Sequence, residues 1–214
     1  MSIHKDVPFV SNTDDDLHCL PAAYMSIAKY FSPNFSIEMD EWSALTGFEP
    51  NKGTWANAGL LWFQQNGYDV KHITLFDYDE FVKHPEDYLI EFNGADVGGW
   101  MVDHTNIDAE VARVKKLISV GLIEKRIPTI EDIKQLLDKG YLVRASLNCN
   151  KLSGKSGYVG HAVAVIGYDD QGVFLHDPGL PALPNRKVNF AQFDAAWSDP
   201  SDDMKEMDAV RLVS

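Results

Sequence analysis

Three short segments of this chain carry side chains that together can break an amide. Cys19 stands in Asp16-Leu17-His18-Cys19-Leu20-Pro21-Ala22-Ala23, at what reads as the start of a helix. About 140 residues on, His161 opens the run Gly160-His161-Ala162-Val163-Ala164-Val165-Ile166, and Asp177 follows in His176-Asp177-Pro178. An unperturbed thiol is a weak nucleophile at neutral pH. A helix start and a neighbouring imidazolium favour the thiolate, and a carboxylate on the far ring nitrogen fixes the imidazole. Such a set would attack a peptide or small amide carbonyl, hold the acyl group as a thioester and release it to water. Release to an amine or a second thiol would make it an acyltransferase.

Each residue also has an ordinary reading. A solitary cysteine is most often a small buried hydrophobe. A histidine beside an apolar strand is usually bonded to backbone, and an aspartate before Pro178-Gly179 is a common turn residue. What favours chemistry is the three together.

The elements that must position them can be read from the pattern. Leu20, Ala23, Tyr24, Ile27, Ala28 and Phe31 recur at helical spacing over 19–31, with Pro21 tolerated in the first turn. The runs 162–167 and 173–175 flank Asp169-Asp170-Gln171-Gly172, a turn signal, so they should form an antiparallel hairpin. A tight turn sets Asp177 opposite Ala164, and a wider or bulged one moves it toward His161. Elsewhere Val7-Pro8-Phe9-Val10 reads as extended, Thr54 as the cap of a helix buried through Leu60, Leu61 and Phe63, and 70–75 as a strand. A helix is expected over 107–120, another after the capping box Thr129-Ile130-Glu131-Asp132, and a short one over 190–197. Residues 141–147 and 209–212 read as strands, whereas 77–103 shows no steady period. The layout is α+β in a single domain over 1–214, helical to about 139 and mainly β beyond it.

These segments resemble the papain-like cysteine peptidases related to the bacteriocin-leader-processing peptidases. In that family a Cys-Gly-Pro-Ala type segment opens the nucleophile helix, and a Gly-His strand followed by Asp-Pro returns the base and its orienter. The resemblance spans about Val7 to Trp197, apart from roughly 70–125. It implies a papain-like fold, with Cys19 as nucleophile, His161 as general base and acid, and Asp177 as the orienting carboxylate. Relatives also place a glutamine before the cysteine as oxyanion donor. Here the nearest amide is Asn12, which could equally start a turn, and Leu20 stands where glycine is usual. Those two departures support a second expectation, a papain-like binding module with little catalysis. The cleft should lie between the helix of Cys19 and the strand of His161.

Other candidates carry less. Cys149 follows a strand with no helix start beside it and reads as structural; His176 alternates with Asp177 and should face the other way. His18 and His161 lack the spacing of a zinc set, so neither metal nor other cofactor is expected. Gly98-Gly99 looks like the double-glycine site that such peptidases cut, and is also a common loop pair. Trp55, Trp62, Trp100 and Trp197 read as core or groove wall.

A net charge of −13 argues against binding nucleic acid or an anionic membrane. With 45% hydrophobic residues the chain can build a core, yet no stretch approaches a membrane span or an apolar signal. Two cysteines make no disulfide framework, so a reducing cytoplasm is expected. With no nucleotide-binding loop either, the chain is expected to stand alone rather than serve as the peptidase part of a transporter.

Overall fold

The computed structural model describes residues 2–213. Helix α1 (Cys19–Phe31) follows the predicted spacing, but every side chain from Leu20 to Ala28 is buried. It is therefore a central helix rather than a surface one. One side lies on the sheet; the other is covered by α2 (Met39–Leu45) and α3 (Asn57–Gln65). Trp42 of α2 is fully buried and donates its indole N–H to the Pro21 carbonyl at 2.8 Å, pinning the first turn of α1. Burial of a side chain such as Ile27 contributes about 1.5–3 kcal/mol.

The structure adds to or corrects the local reading at three places. α3 begins at Asn57 with Ala56 before it, not at a Thr54 cap. Tertiary bonds set that start: Asn57 is buried, donates to Glu110 at 2.8 Å and accepts from Tyr78 at 3.2 Å. Val7–Val10, read as extended, joins no sheet; its backbone is met by side chains, Val10 N–H by Ser26 Oγ at 3.1 Å and the Val7 carbonyl by His176. The stretch without a period forms three short helices, α4 (Tyr78–Lys83), α5 (Pro85–Asn93) and α6 (Ala95–Asp103). With α7 (Ile107–Val120) they enclose a separate aromatic cluster around Phe76, Phe81, Tyr88 and Leu89. Gly98 belongs to the packing of α6 on α5, since a Cβ there would stand 2.4 Å from the Ile90 Cα. The glycine pair is thus helical, not a loop.

The remaining elements are β1 (Ile3–His4), β2 (Tyr68–Thr74), β3 (Ile123–Lys125), α8 (Ile130–Asp138), β4 (Leu142–Asn148), α9 (Cys149–Leu152), β5 (Gly160–Tyr168), β6 (Gly172–Asp177), β7 (Leu183–Asn189), α10 (Phe190–Trp197) and β8 (Glu206–Leu212). Thr129 and Asp132 form the expected capping box at the start of α8. The strands make one sheet in the order β3-β2-β8-β4-β5-β6-β7, with β1 beside the end of β5. All pairings are antiparallel except β2 with β3. The expected strand near 70–75 is β2, which pairs along its length with β8, and the first part also supplies β3.

Where β8 meets β4 and β2, Asp208 is fully buried and gathers charged and polar partners. Tyr24 of α1 donates to it at 2.5 Å, Arg144 Nε at 2.6 Å, and His72 Nδ1 lies 2.6 Å away. Burial raises the Asp208 pKa, but the Arg144 charge and the bonds from His72 and Tyr24 prevail and hold it low. The helix that begins with Cys19 is thereby fastened to the middle of the sheet.

Candidate active site

Cys19 is the first residue of α1, half-buried, with His18 ahead of it. α1 runs against β5, which sets the thiol beside the His161 ring closely enough for the two to shift each other's titration. Burial pushes the thiol pKa up. The bond to His161, its charge, and the backbone N–H groups of Ala162 and Leu20 outweigh burial and set it below its ordinary value.

His161 and Asp177 meet because of a bulge. Tyr168 pairs with Val173 and Gly167 with Phe174; extended unbroken, that register would place Asp177 opposite Ala164. Residues directly opposite share a face, so Asp177 would then point away from His161. Instead the register shifts between Val165 and Gly167, and Ala164 pairs with His176. The extra residue, Ile166, slides Asp177 level with Val163 and onto the face of His161. The bulge is supported from β1: Lys5 N–H donates to the Ile166 carbonyl at 3.0 Å. At Gly167 a Cβ would stand only 2.2 Å from the Ile3 carbonyl oxygen, so glycine permits that approach.

The resulting bond from His161 Nε2 to Asp177 Oδ1 is 2.7 Å, with both residues buried. Burial lowers the imidazole pKa, but the bonds to Asp177 and Cys19 dominate and push it up to about 10. Burial likewise raises the Asp177 carboxyl, and His161, Arg186 and the Gly179 N–H bring it below the ordinary range. All three shifts act in the direction of thiolate, imidazolium and carboxylate.

Asn12 is buried beside them. Its Oδ1 accepts from His18 N–H at 2.7 Å and Thr13 N–H at 3.0 Å, which fixes the orientation of the amide. Its Nδ2 donates to Asp16 at 2.7 Å, and its backbone N–H donates to the Pro178 carbonyl at 2.8 Å. Asn12 thus joins the residue before Cys19 to the residue after Asp177. Beyond it runs a cleft of about 420 Å³, whose walls include Val10, Met25, Lys29, Phe35 and Ile37.

The other candidates fall elsewhere. His18 Nδ1 lies 2.7 Å from Ser43 Oγ and its ring packs on Phe48. His176, on the opposite face, lies 2.8 Å from the Val7 carbonyl and accepts from Asn185 N–H. Cys149 does begin a helix, the four-residue α9, and burial raises its thiol pKa. Trp197 is buried, Trp55 and Trp62 are half-buried, and Trp100 stands 54% exposed, stacked on His104.

Arg186 was not singled out from the sequence. It donates Nη1 to Asp177 Oδ2 at 2.7 Å and Nη2 to the Leu152 carbonyl at 2.9 Å. Its strand, Leu183-Pro184-Asn185-Arg186-Lys187, is mostly exposed and polar, and has no alternation to mark it.

Comparison with known proteins fits this geometry. A crystal structure described as a C39-like peptidase from Bacillus anthracis aligns over 100% of this chain and 99% of its own, with a TM-score of 0.59 and 13% identity. The peptidase domain of Streptococcus ComA, a bi-functional ABC transporter involved in a quorum sensing pathway, aligns over 95% of this chain and 97% of its own, with a TM-score of 0.50 and 14% identity. No curated protein matches the sequence. No helix among the described residues is long and apolar enough to cross a membrane. The sequence matches the Peptidase_C39 like family over residues 4–202, so the chain belongs to that family, and its α+β fold is that of the C39 branch of the papain-like cysteine peptidases.

Proposed function

We infer that the protein is a cysteine peptidase that cleaves a peptide or small amide through Cys19, His161 and Asp177. The observation that carries this reading is the His161 ring, held at 2.7 Å by Asp177 while its neighbour Cys19 has its thiol pKa lowered by it. The thiolate attacks the carbonyl carbon, and the oxyanion forms against the Cys19 backbone N–H and the remaining amide hydrogen of Asn12. His161, with Nε2 engaged by Asp177, passes a proton from its other nitrogen to the leaving amine, and a thioester on Cys19 results. Water, deprotonated by the same nitrogen, then attacks the thioester and frees the acid and the thiol. The substrate chain lies along α1, and the cleft beyond Asn12 receives part of it. Two free cysteines suit a reducing compartment such as the cytoplasm.

One observation favours a weaker catalyst or a binding module: the Asn12 amide donates to the Asp16 carboxylate, whose negative charge would oppose an oxyanion. Iodoacetamide labelling with peptide mapping decides between the readings. An active centre gives rapid carbamidomethylation of Cys19, but not Cys149, near neutral pH, and the His161→Ala variant loses it. Labelling of Cys19 only above the ordinary thiol pKa, unaffected by that variant, would refute the peptidase reading. Cleavage of a peptide library by the wild type, abolished in Cys19→Ala, identifies the products and separates hydrolysis from transfer to an added amine.

A further inference from the structure

The Asp177 carboxylate divides its oxygens between two cations. Oδ1 accepts from His161 Nε2 at 2.7 Å and from Gly179 N–H at 3.1 Å, while Oδ2 accepts from Arg186 Nη1 at 2.7 Å. Arg186 comes from β7, the edge strand, where it pairs with Leu175 two residues before Asp177. Its other arm reaches the Leu152 carbonyl at the end of α9, an oxygen that Gln192 also donates to, at 2.7 Å. The guanidinium thus spans from the orienting carboxylate to the short helix opened by Cys149. A planar fork with fixed donor directions can hold two such acceptors at once; a lysine ammonium on a flexible stem fits that task poorly.

Two physical consequences follow. With Oδ2 held by Arg186 and Oδ1 by Gly179, the carboxylate plane cannot turn, and the oxygen facing His161 stays in register with Nε2. The charge count also closes: thiolate and carboxylate are balanced by imidazolium and guanidinium. Without the guanidinium, a buried row would carry an uncompensated negative charge, which costs far more than one at the surface.

We propose that Arg186 is a positioning residue of this active site, acting through Asp177 to hold His161 in place and to set the pH range in which the Cys19–His161 ion pair exists. The proposal rests on the peptidase reading of Cys19 and His161. A positive charge two hydrogen bonds from the imidazole opposes its protonation and favours the thiolate. Removing that charge moves both titrations upward, and a side chain that only braced β7 would move neither.

The test is the rate of Cys19 carbamidomethylation by iodoacetamide as a function of pH, with Cys149 resolved by peptide mapping. In Arg186→Gln both limbs of the Cys19 profile move to higher pH by roughly 0.4–1.7 units, the range produced by one unit charge at about 7 Å across effective dielectric constants of about 80 to 20. Arg186→Lys keeps both limbs within a few tenths of a unit but lowers peptide cleavage several-fold, mainly in kcat, because the ammonium cannot grip Asp177 and Leu152 together. If Arg186→Gln does not fold, Arg186→Lys decides alone, and a kcat equal to wild type overturns the proposal. A folded Arg186→Gln protein with an unmoved or lowered profile overturns it as well. In both of those cases, loss of labelling in His161→Ala still upholds the peptidase reading; labelling that survives His161→Ala removes that reading itself.

Discussion

His161 and Asp177 face each other because one residue, Ile166, is extra in the strand between them and the turn. Their bond of 2.7 Å is therefore a product of sheet register, not of nearness in sequence. Asp177→Asn keeps the size of the side chain but removes the charge that supports the imidazolium. Turnover should fall by about 10²–10⁴-fold with the fold intact. Steady-state kinetics beside a circular dichroism spectrum checks this, and a loss smaller than tenfold would deny Asp177 its role.

The pH profile of kcat/KM should be a bell. Its acid limb is protonation of the Cys19 thiolate, at a pH below the ordinary thiol value, and its alkaline limb is loss of the His161 proton near pH 10. Stability follows the same groups. His161 has a raised pKa, so its contribution is full below about pH 6.5, the unfolded value, and is lost as pH rises through about 10. Asp177 has a depressed pKa, so its contribution is present above about pH 3.9 and is lost as pH falls through its lower folded value. Urea denaturation of wild type and His161→Ala across pH 5–11 should show the difference between them shrinking steadily from about pH 6.5 and levelling off above about pH 10.

Asn12 offers a test of the oxyanion donor. Asn12→Ala should lower kcat by about 10²–10³-fold with little change in KM, the loss expected for one such donor. The neighbouring charge works against it, so Asp16→Gly should raise kcat several-fold. Glycine suits that position because Asp16 has a φ of 59°. Lower activity in Asp16→Gly would mean that Asp16 holds the amide in its working orientation instead.

Much of this architecture was legible locally. α1, α7, α8 and α10 announced themselves through periodic apolar residues and, at Thr129, a cap. The hairpin of β5 and β6 was marked by its turn. The short helices between Tyr78 and Asp103 were not, since their period lasts barely two turns before His84-Pro85 or Gly94 interrupts it. Nor could the register be read, because the bulge at Ile166 is supported by the distant residue Lys5. Arg186 escaped for a similar reason: its partner oxygens come from Asp177 and Leu152, and nothing beside it in sequence points to either.

The buried Asp208 should be costly to alter. Asp208→Ala takes the fully buried carboxylate from Arg144 and leaves it paired with Glu206 at 2.7 Å, so the loss should approach the ~3–5 kcal/mol of a broken buried pair. Urea denaturation measures that loss. Cys19 alkylation in the folded fraction should slow as well, since Tyr24 loses its anchor five residues along α1. A destabilisation under 1 kcal/mol would show the network to be dispensable.

That anchor lies 184 residues downstream of Tyr24. At about 5–20 residues per second of synthesis, some 10–40 s separate the emergence of Cys19 from that of the strand that seats its helix. Throughout that interval the sulfur titrates as an unperturbed thiol, because the ring that lowers its pKa is not yet held beside it.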